Sequence, residues 1–332
     1  METGIKEDQM KAVIYKEYGS PDVLEVKDVA IPIPKEDEVL VKIHAASVNA
    51  ADWHLLRADP FPIRFMTGLF KPKYNILGCD IAGVVESAGK NVRQFRKGDA
   101  VFGDLSVFGW GGFAEYVCVR ENALVLKPEN ISFHDAASLP VAAVTALQGL
   151  RDKGKIRAGQ KVLINGASGG VGTFAVQIAK YFGAEVTAVC STAKAELVRS
   201  IGADHVIDYA KEDFTKNGKQ YDIILAANGF HPISDYKRAL HSQGVYVMTG
   251  GSTAQMFQAI LLGPWLSMFG GRTMGNLMVK PNQNDLNFMI QLLETGKVVP
   301  VIDKRYPLHE VADAIRYLEE GHAKGKVIIT ME

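Results

Sequence analysis

The segment Gly166-Ala-Ser-Gly-Gly-Val-Gly172 constrains this chain more than any other stretch. It lies between a buried-strand run, Lys161-Val-Leu-Ile164, and a stretch of helical spacing from Gly172 to Phe182. The apolar positions of that stretch include Phe174, Val176, Ile178 and Tyr181, and Gly183 is its natural stop. Strand, glycine-rich turn and helix are the setting a dinucleotide-binding loop requires. Gly169 lets the backbone approach a pyrophosphate, Gly172 lets helix and strand pack closely, and the helix N-terminus faces the negative charge. Ala167 stands where the usual pattern has its first glycine, so the context carries the reading more than the spacing does. Ala167, Ser168, Gly169, Gly170, Val171 and Gly172 are therefore the candidate phosphate-binding residues. The plainer alternative is a structural turn in an α/β protein.

After this loop the pattern repeats. Glu185-Val-Thr-Ala-Val189 reads as a strand, about Lys194 to Ile201 as a helix, and His205-Val-Ile-Asp-Tyr209 as a strand. Tyr221-Asp-Ile-Ile-Leu225 and Gly244-Val-Tyr-Val-Met248 continue the alternation. Strands separated by helices of 10–15 residues mean βαβ units and a parallel sheet. The first 130 residues are instead rich in strands and turns, among them Val39–Ile43, Ile81–Glu86, Ala100–Phe102 and Phe113–Val119. Beyond Arg272 the regularity fades into two amphipathic helices, Asp285–Glu294 and Glu310–Glu319, and a last strand, Lys326–Thr330. The fold class is α/β: a doubly wound parallel sheet over 131–271, and a β-rich domain made of 1–130 with 272–332 returning to it.

The end of the second strand bears on the cofactor. An NAD enzyme usually carries Asp or Glu there for the ribose 2′-hydroxyl. This chain reads Cys190-Ser-Thr-Ala-Lys194, two hydroxyls and a cation but no acid. Ser191, Thr192 and Lys194 suit a 2′-phosphate that a carboxylate would repel, so NADP(H) is expected. The alternative for Lys194 is a solvated residue in a first helical turn.

Composition excludes several classes. There are 37 basic and 37 acidic residues, so no basic excess marks a nucleic-acid binder. Cys79, Cys118 and Cys190 form no C-x-x-C pair, which implies neither a disulfide framework nor a four-cysteine zinc lobe. Met1 to Met10 is polar and reads as a short frayed extension without a secretory h-region, so a cytoplasmic location with reduced thiols is expected. No Asp, Glu, Lys or Arg occurs from Ala239 to Gly271. Its most apolar part, Met256–Phe269, is shorter than a membrane span and broken by Gly263-Pro264. A core strand with an apolar pocket or subunit interface is the first reading of this run, and peripheral membrane contact the second.

The chain resembles the medium-chain dehydrogenase/reductase superfamily from Lys11 to Thr330. Asn49-Ala-Ala-Asp52, Gly78-Cys-Asp-Ile-Ala-Gly83, Gly98-Asp-Ala-Val-Phe102, Gly111-Gly-Phe-Ala-Glu-Tyr116 and Gly202-Ala-Asp-His-Val-Ile-Asp-Tyr209 look like its zinc-independent quinone oxidoreductase branch. The resemblance implies a GroES-like catalytic domain beside a Rossmann domain, and gives Lys194 and Tyr209 the adenosine 2′-phosphate. It places Asn49, Cys79 and Val141 where alcohol dehydrogenases carry the Cys, His and Cys of a catalytic zinc, so no metal is expected. Asn49 would hydrogen-bond the nicotinamide ribose or a substrate oxygen. His54 falls in the segment that lines the nicotinamide, where relatives often carry a tyrosine; it is either a pocket residue or a plain loop residue. Thr145, Asn228, Gly250 and Gly251 would lie at loops facing the nicotinamide half. Lys326 matches a basic position that reaches the cofactor phosphates, unless it is an exposed lysine before the last strand. The apolar stretches 61–70 and 263–276 would shape the substrate pocket, which suits a hydrophobic substrate.

The activity so implied is hydride transfer from NADPH to a quinone or to the β-carbon of an α,β-unsaturated carbonyl, with the proton from water or His54. The alternatives are a non-catalytic NADPH-binding sensor and a zinc-dependent alcohol dehydrogenase. The stretch 273–279, without charge or proline, is expected to be an exposed edge strand that pairs two subunits into a homodimer.

Overall fold

The computed structural model describes residues 8–268 and 271–331, and these form two compact units. The expected N-terminal extension lies largely outside the described residues, as does Phe269 at the end of the apolar run. The first unit comprises 1–141, 281–290 and 302–332; the second comprises 142–280 and 291–301. The boundary anticipated at 130/131 thus falls at 141/142 in the folded chain. The C-terminal return is also interrupted, because 291–301 packs with the second unit. Part of the reason is Gln177, whose side-chain amide donates to the Val299 carbonyl and whose Oε1 accepts from the Val299 N–H.

The first unit pairs β1 (Gln9–Ile14) with β2 (Glu25–Ala30) in an antiparallel ribbon. Its main sheet joins β3 (Glu38–Val48), β4 (Asp80–Ala88), β5 (Ala100–Asp104), β6 (Tyr116–Arg120) and β7 (Leu124–Leu126). The C-terminal strands β14 (Ile302–Pro307) and β15 (Lys326–Thr330) complete it. The order is β14-β15-β3-β4-β5-β7, with β6 also paired to β3. Alternation along β3 and β4 sends Val41, Ile43 and Val85 into one core with Phe113, Val327 and Ile329. Burying each such side chain contributes about 1.5–3 kcal/mol.

The second unit holds six parallel strands: β8 (Lys161–Asn165), β9 (Glu185–Cys190), β10 (His205–Asp208), β11 (Tyr221–Ala226), β12 (Leu240–Met248) and β13 (Thr273–Asn276). They run in the order β10-β9-β8-β11-β12-β13. Counted within this unit that is 3-2-1-4-5-6, the doubly wound order whose ligand crevice opens at the carboxyl ends where the order reverses. The reversal falls beside β8, directly ahead of the glycine loop. β13 closes one edge of the sheet, where the sequence places it. The uncharged run after β12 forms two short helices, Thr253–Leu261 and Gly263–Met268, split at the expected glycine. Among the described residues no helix is long and apolar enough to cross a membrane.

Candidate functional site

Three loops meet at the carboxyl ends of β8, β11 and β12. Gly166 follows β8 with φ of +82°, a conformation that an L side chain rarely adopts. A β-carbon there would lie 2.7 Å from the Asn228 Cβ, so the loop after β11 packs directly on it. In the loop after β12, a β-carbon on Gly250 would approach the Ala227 carbonyl oxygen to 2.4 Å. Asn228, Gly250 and Gly251 are thereby gathered beside the glycine loop. Thr145 is buried in the helix Pro140–Leu147.

The helix Gly170–Tyr181 starts without a side-chain cap, its N-cap being Gly169. Its first N–H groups are thus available to an anion, and the helix dipole favours one. A β-carbon on Gly169 would meet nothing nearer than the Gly166 oxygen at 3.7 Å, so the approach to this helix end is open. Gly172 differs: its β-carbon would sit 2.1 Å from that same oxygen. Gly169 leaves room for a ligand and Gly172 permits close packing.

At the end of β9, Ser191 and Lys194 are partly exposed and Thr192 is exposed, while Tyr209 follows the end of β10 with 63% of its surface exposed. The backbone N–H of Tyr209 donates to the Cys190 carbonyl at 3.1 Å, which fixes the two strand ends side by side. One acid is present that the end of the second strand did not reveal. Asp208 ends β10 opposite Cys190, and the Thr192 hydroxyl donates to its carboxylate.

In the first unit, strand register assembles a buried polar cluster. Val327 pairs with Val48, Ser47 with Asp80, and Asp80 with Asp104. Lys326, Asn49, Asp80 and Asp104 therefore stand side by side across four strands. Asn49, 7% exposed, caps the helix Ala50–Arg57. Its Oδ1 accepts from Lys326 Nζ at 2.6 Å and its Nδ2 donates to Asp80 Oδ2 at 2.9 Å. Asp80 Oδ2 also accepts from Ser47 Oγ at 2.6 Å and faces Lys326 Nζ at 3.2 Å, while Oδ1 accepts from the Val141 N–H at 2.9 Å. Lys326 is 3% exposed, so it is not a surface lysine before the last strand.

Asp52 accepts the N–H groups of Asn49 and Gly78, at 2.7 and 2.9 Å, and burial pushes its carboxyl up to about 7. Burial, then the charge of Asp80, raises Asp104 to about 6. His54 lies on the same helix as Asp52, stacked on Trp53. Its Nδ1 faces the Asp59 carbonyl at 2.6 Å and therefore carries the hydrogen. The neutral ring offers an acceptor at Nε2, and burial holds its pKa below the usual histidine range.

Asp80 and Asp104 are buried members of this candidate site that reading the sequence did not single out, as is Asp52 on its helix. The signal was an acid at the end of each of two apolar strand runs, since a carboxylate there needs partners.

The donor set does not fit a catalytic zinc. Asn49 is bonded at both ends of its amide and Val141 brings no side-chain donor, which leaves Cys79 alone of the three positions with a ligand atom to offer. Among the described residues the one grouping of potential ligands is Cys79, Asp80 and Asp104, all buried, with ligand atoms within 4.8 Å of one another. The Lys326 ammonium already supplies a cation to Asp80 there.

Two family models match the chain: an alcohol dehydrogenase GroES-like domain over 35–129 and a zinc-binding dehydrogenase domain over 201–329. A chloroplast envelope quinone oxidoreductase homolog of Arabidopsis thaliana is 36% identical, across 96% of this chain and 98% of its own length. An NADPH-dependent alkenal/one oxidoreductase of the same plant is also 36% identical, across 97% and 79%. The structure of the quinone oxidoreductase from Coxiella burnetii superposes with a TM-score of 0.86 at 29% identity, covering 98% of this chain and all of that one.

Proposed function

The chain belongs to the medium-chain dehydrogenase/reductase superfamily, in its quinone-oxidoreductase-like branch, and from that premise we propose a zinc-independent, NADPH-dependent reductase of quinones or α,β-unsaturated carbonyls. That it is an oxidoreductase using a nicotinamide cofactor follows from the family; the phosphate, the acceptor and the absence of zinc are the proposed part.

When bound, NADPH supplies hydride to the acceptor. The chain's own residues do the rest. The open helix end at Gly169–Gly172 suits the pyrophosphate, and Ser191, Lys194 and Tyr209 suit the 2′-phosphate. Asn49 carries a polarised amide to hold a carbonyl or the nicotinamide ribose. The proton comes from water, because His54 keeps its Nδ1 hydrogen on Asp59 and burial opposes its protonation. Phe61, Phe65 and Phe70 stand exposed in the first unit, which suits an apolar acceptor.

The observation that carries this reading is the lysine-filled cluster at Asp80. Without a Lewis acid, an alkoxide from alcohol oxidation is hard to stabilise, whereas a conjugated acceptor spreads the developing charge itself. The name of the alkenal/one oxidoreductase relative supports both the cofactor and the acceptor class. A kinetic screen of quinones and enones, with NADPH and NADH side by side, tests it. Turnover with primary alcohols that depends on added zinc would oppose it.

A further inference from the structure

Lys326, Asn49 and Asp80 form a closed triangle. The ammonium sits 2.6 Å from the amide oxygen and 3.2 Å from Asp80 Oδ2, and the amide nitrogen donates to that same Asp80 oxygen at 2.9 Å. This fixes which end of the Asn49 carboxamide is oxygen. A cation on the oxygen also draws electron density from the nitrogen and makes its hydrogens better donors. One Nδ2 hydrogen is held by Asp80. The other contacts of Nδ2 are long, 3.4 Å to the Ser47 carbonyl and 3.6 Å to Cys79 Sγ.

Burying an ammonium and a carboxylate costs several kcal/mol per ion before their attraction is counted. Apolar residues of similar volume would serve stability as well.

We propose that Lys326 is a positioning residue, its ammonium acting as the fixed cation of a metal-free site that orients and polarises Asn49 so that the second Nδ2 hydrogen is offered to the oxyanion developing on the acceptor. The proposal rests on the reductase reading above. It differs from a phosphate contact, in which Lys326 would touch the cofactor rather than act through Asn49.

The test uses Lys326→Met, the double variant Lys326→Met/Asp80→Asn, and Lys326→Arg, each measured for melting temperature, NADPH affinity and steady-state kinetics. Lys326→Met leaves Asp80 buried without its cation and lowers the melting temperature; Asp80→Asn removes that charge and restores most of the loss. In both variants NADPH affinity stays within about twofold while kcat falls by about 10- to 100-fold, the loss expected when an oxyanion donor is weakened. Lys326→Arg, which keeps the charge, recovers part of kcat. A folded double variant with unchanged kcat, or a tenfold loss of NADPH affinity at unchanged kcat, overturns this inference alone. A wild-type protein that turns over no acceptor overturns the reductase reading, and the inference with it.

Discussion

The Thr192 hydroxyl at the end of β9 donates a hydrogen bond to the Asp208 carboxylate at the end of β10. An acid is therefore present near the candidate adenosine site, but it is already partnered. The bond to Thr192 holds its carboxyl below the usual range, and Lys211 lies 3.5 Å away.

The proposed preference for NADPH is tested at Lys194. Charge-assisted hydrogen bonds from Lys194 to a 2′-phosphate contribute roughly 1.5–3 kcal/mol each. Lys194→Ala weakens NADPH binding on the order of 10- to 150-fold, at about 1.4 kcal/mol per factor of ten, and leaves NADH binding nearly unchanged. Fluorescence titration with both cofactors checks this. Equal losses for the two would make Lys194 a structural residue.

The two loop glycines predict opposite failures. A valine at Gly169 enters open space, so Gly169→Val folds with a nearly unchanged melting temperature but loses NADPH binding. An alanine at Gly172 collides with backbone 2.1 Å away, so Gly172→Ala lowers the melting temperature as well. Calorimetry and cofactor titration on the pair separate the roles. Retained NADPH affinity in Gly169→Val would contradict the placement of the pyrophosphate.

Local features of the chain announced the second unit clearly. The loop and the strand runs after it are written in short-range periodicity, as is the first unit's final strand Lys326–Thr330, and the sheet edge at β13 showed as a stretch without charge or proline. The helix Pro140–Leu147 went unread, because an almost wholly apolar stretch carries little helical period. The polar cluster was less legible still. Lys326 and Asn49 stand 277 residues apart in sequence, and only the register of β15, β3 and β4 brings them together. No spacing rule reaches that far.

Stability should fall as pH rises through the range set by Asp104. Its carboxyl has a folded pKa of about 6 against an ordinary 3.8, so between these values the folded state keeps a proton that the unfolded state has lost. The contribution is full below the lower value and is lost as pH passes the upper one. Asp104→Asn mimics the protonated form and keeps an oxygen for the Ser106 N–H. The variant therefore loses less melting temperature than wild type on going from about pH 4 to about pH 7. Parallel pH profiles would show that Asp104 does not titrate in this window.

Among the described residues no strand pairs with the outer side of β13, where only Ser267 Oγ meets the Met274 N–H and carbonyl, and such an edge invites a second copy. Light scattering at micromolar concentration should return the mass of a homodimer. A monomer in the wild-type protein would count against edge pairing.

The central claim is that this site reduces an acceptor rather than merely holding NADPH. Stopped-flow mixing of the NADPH-loaded protein with a panel of quinones and α,β-unsaturated carbonyls, under anaerobic conditions, tests it most directly. The account predicts loss of NADPH absorbance on mixing with at least one apolar acceptor, one reduced acceptor formed per NADPH, and no change when a zinc chelator is present. NADPH that binds but stays reduced across the whole panel would contradict it and leave a cofactor-binding sensor in its place.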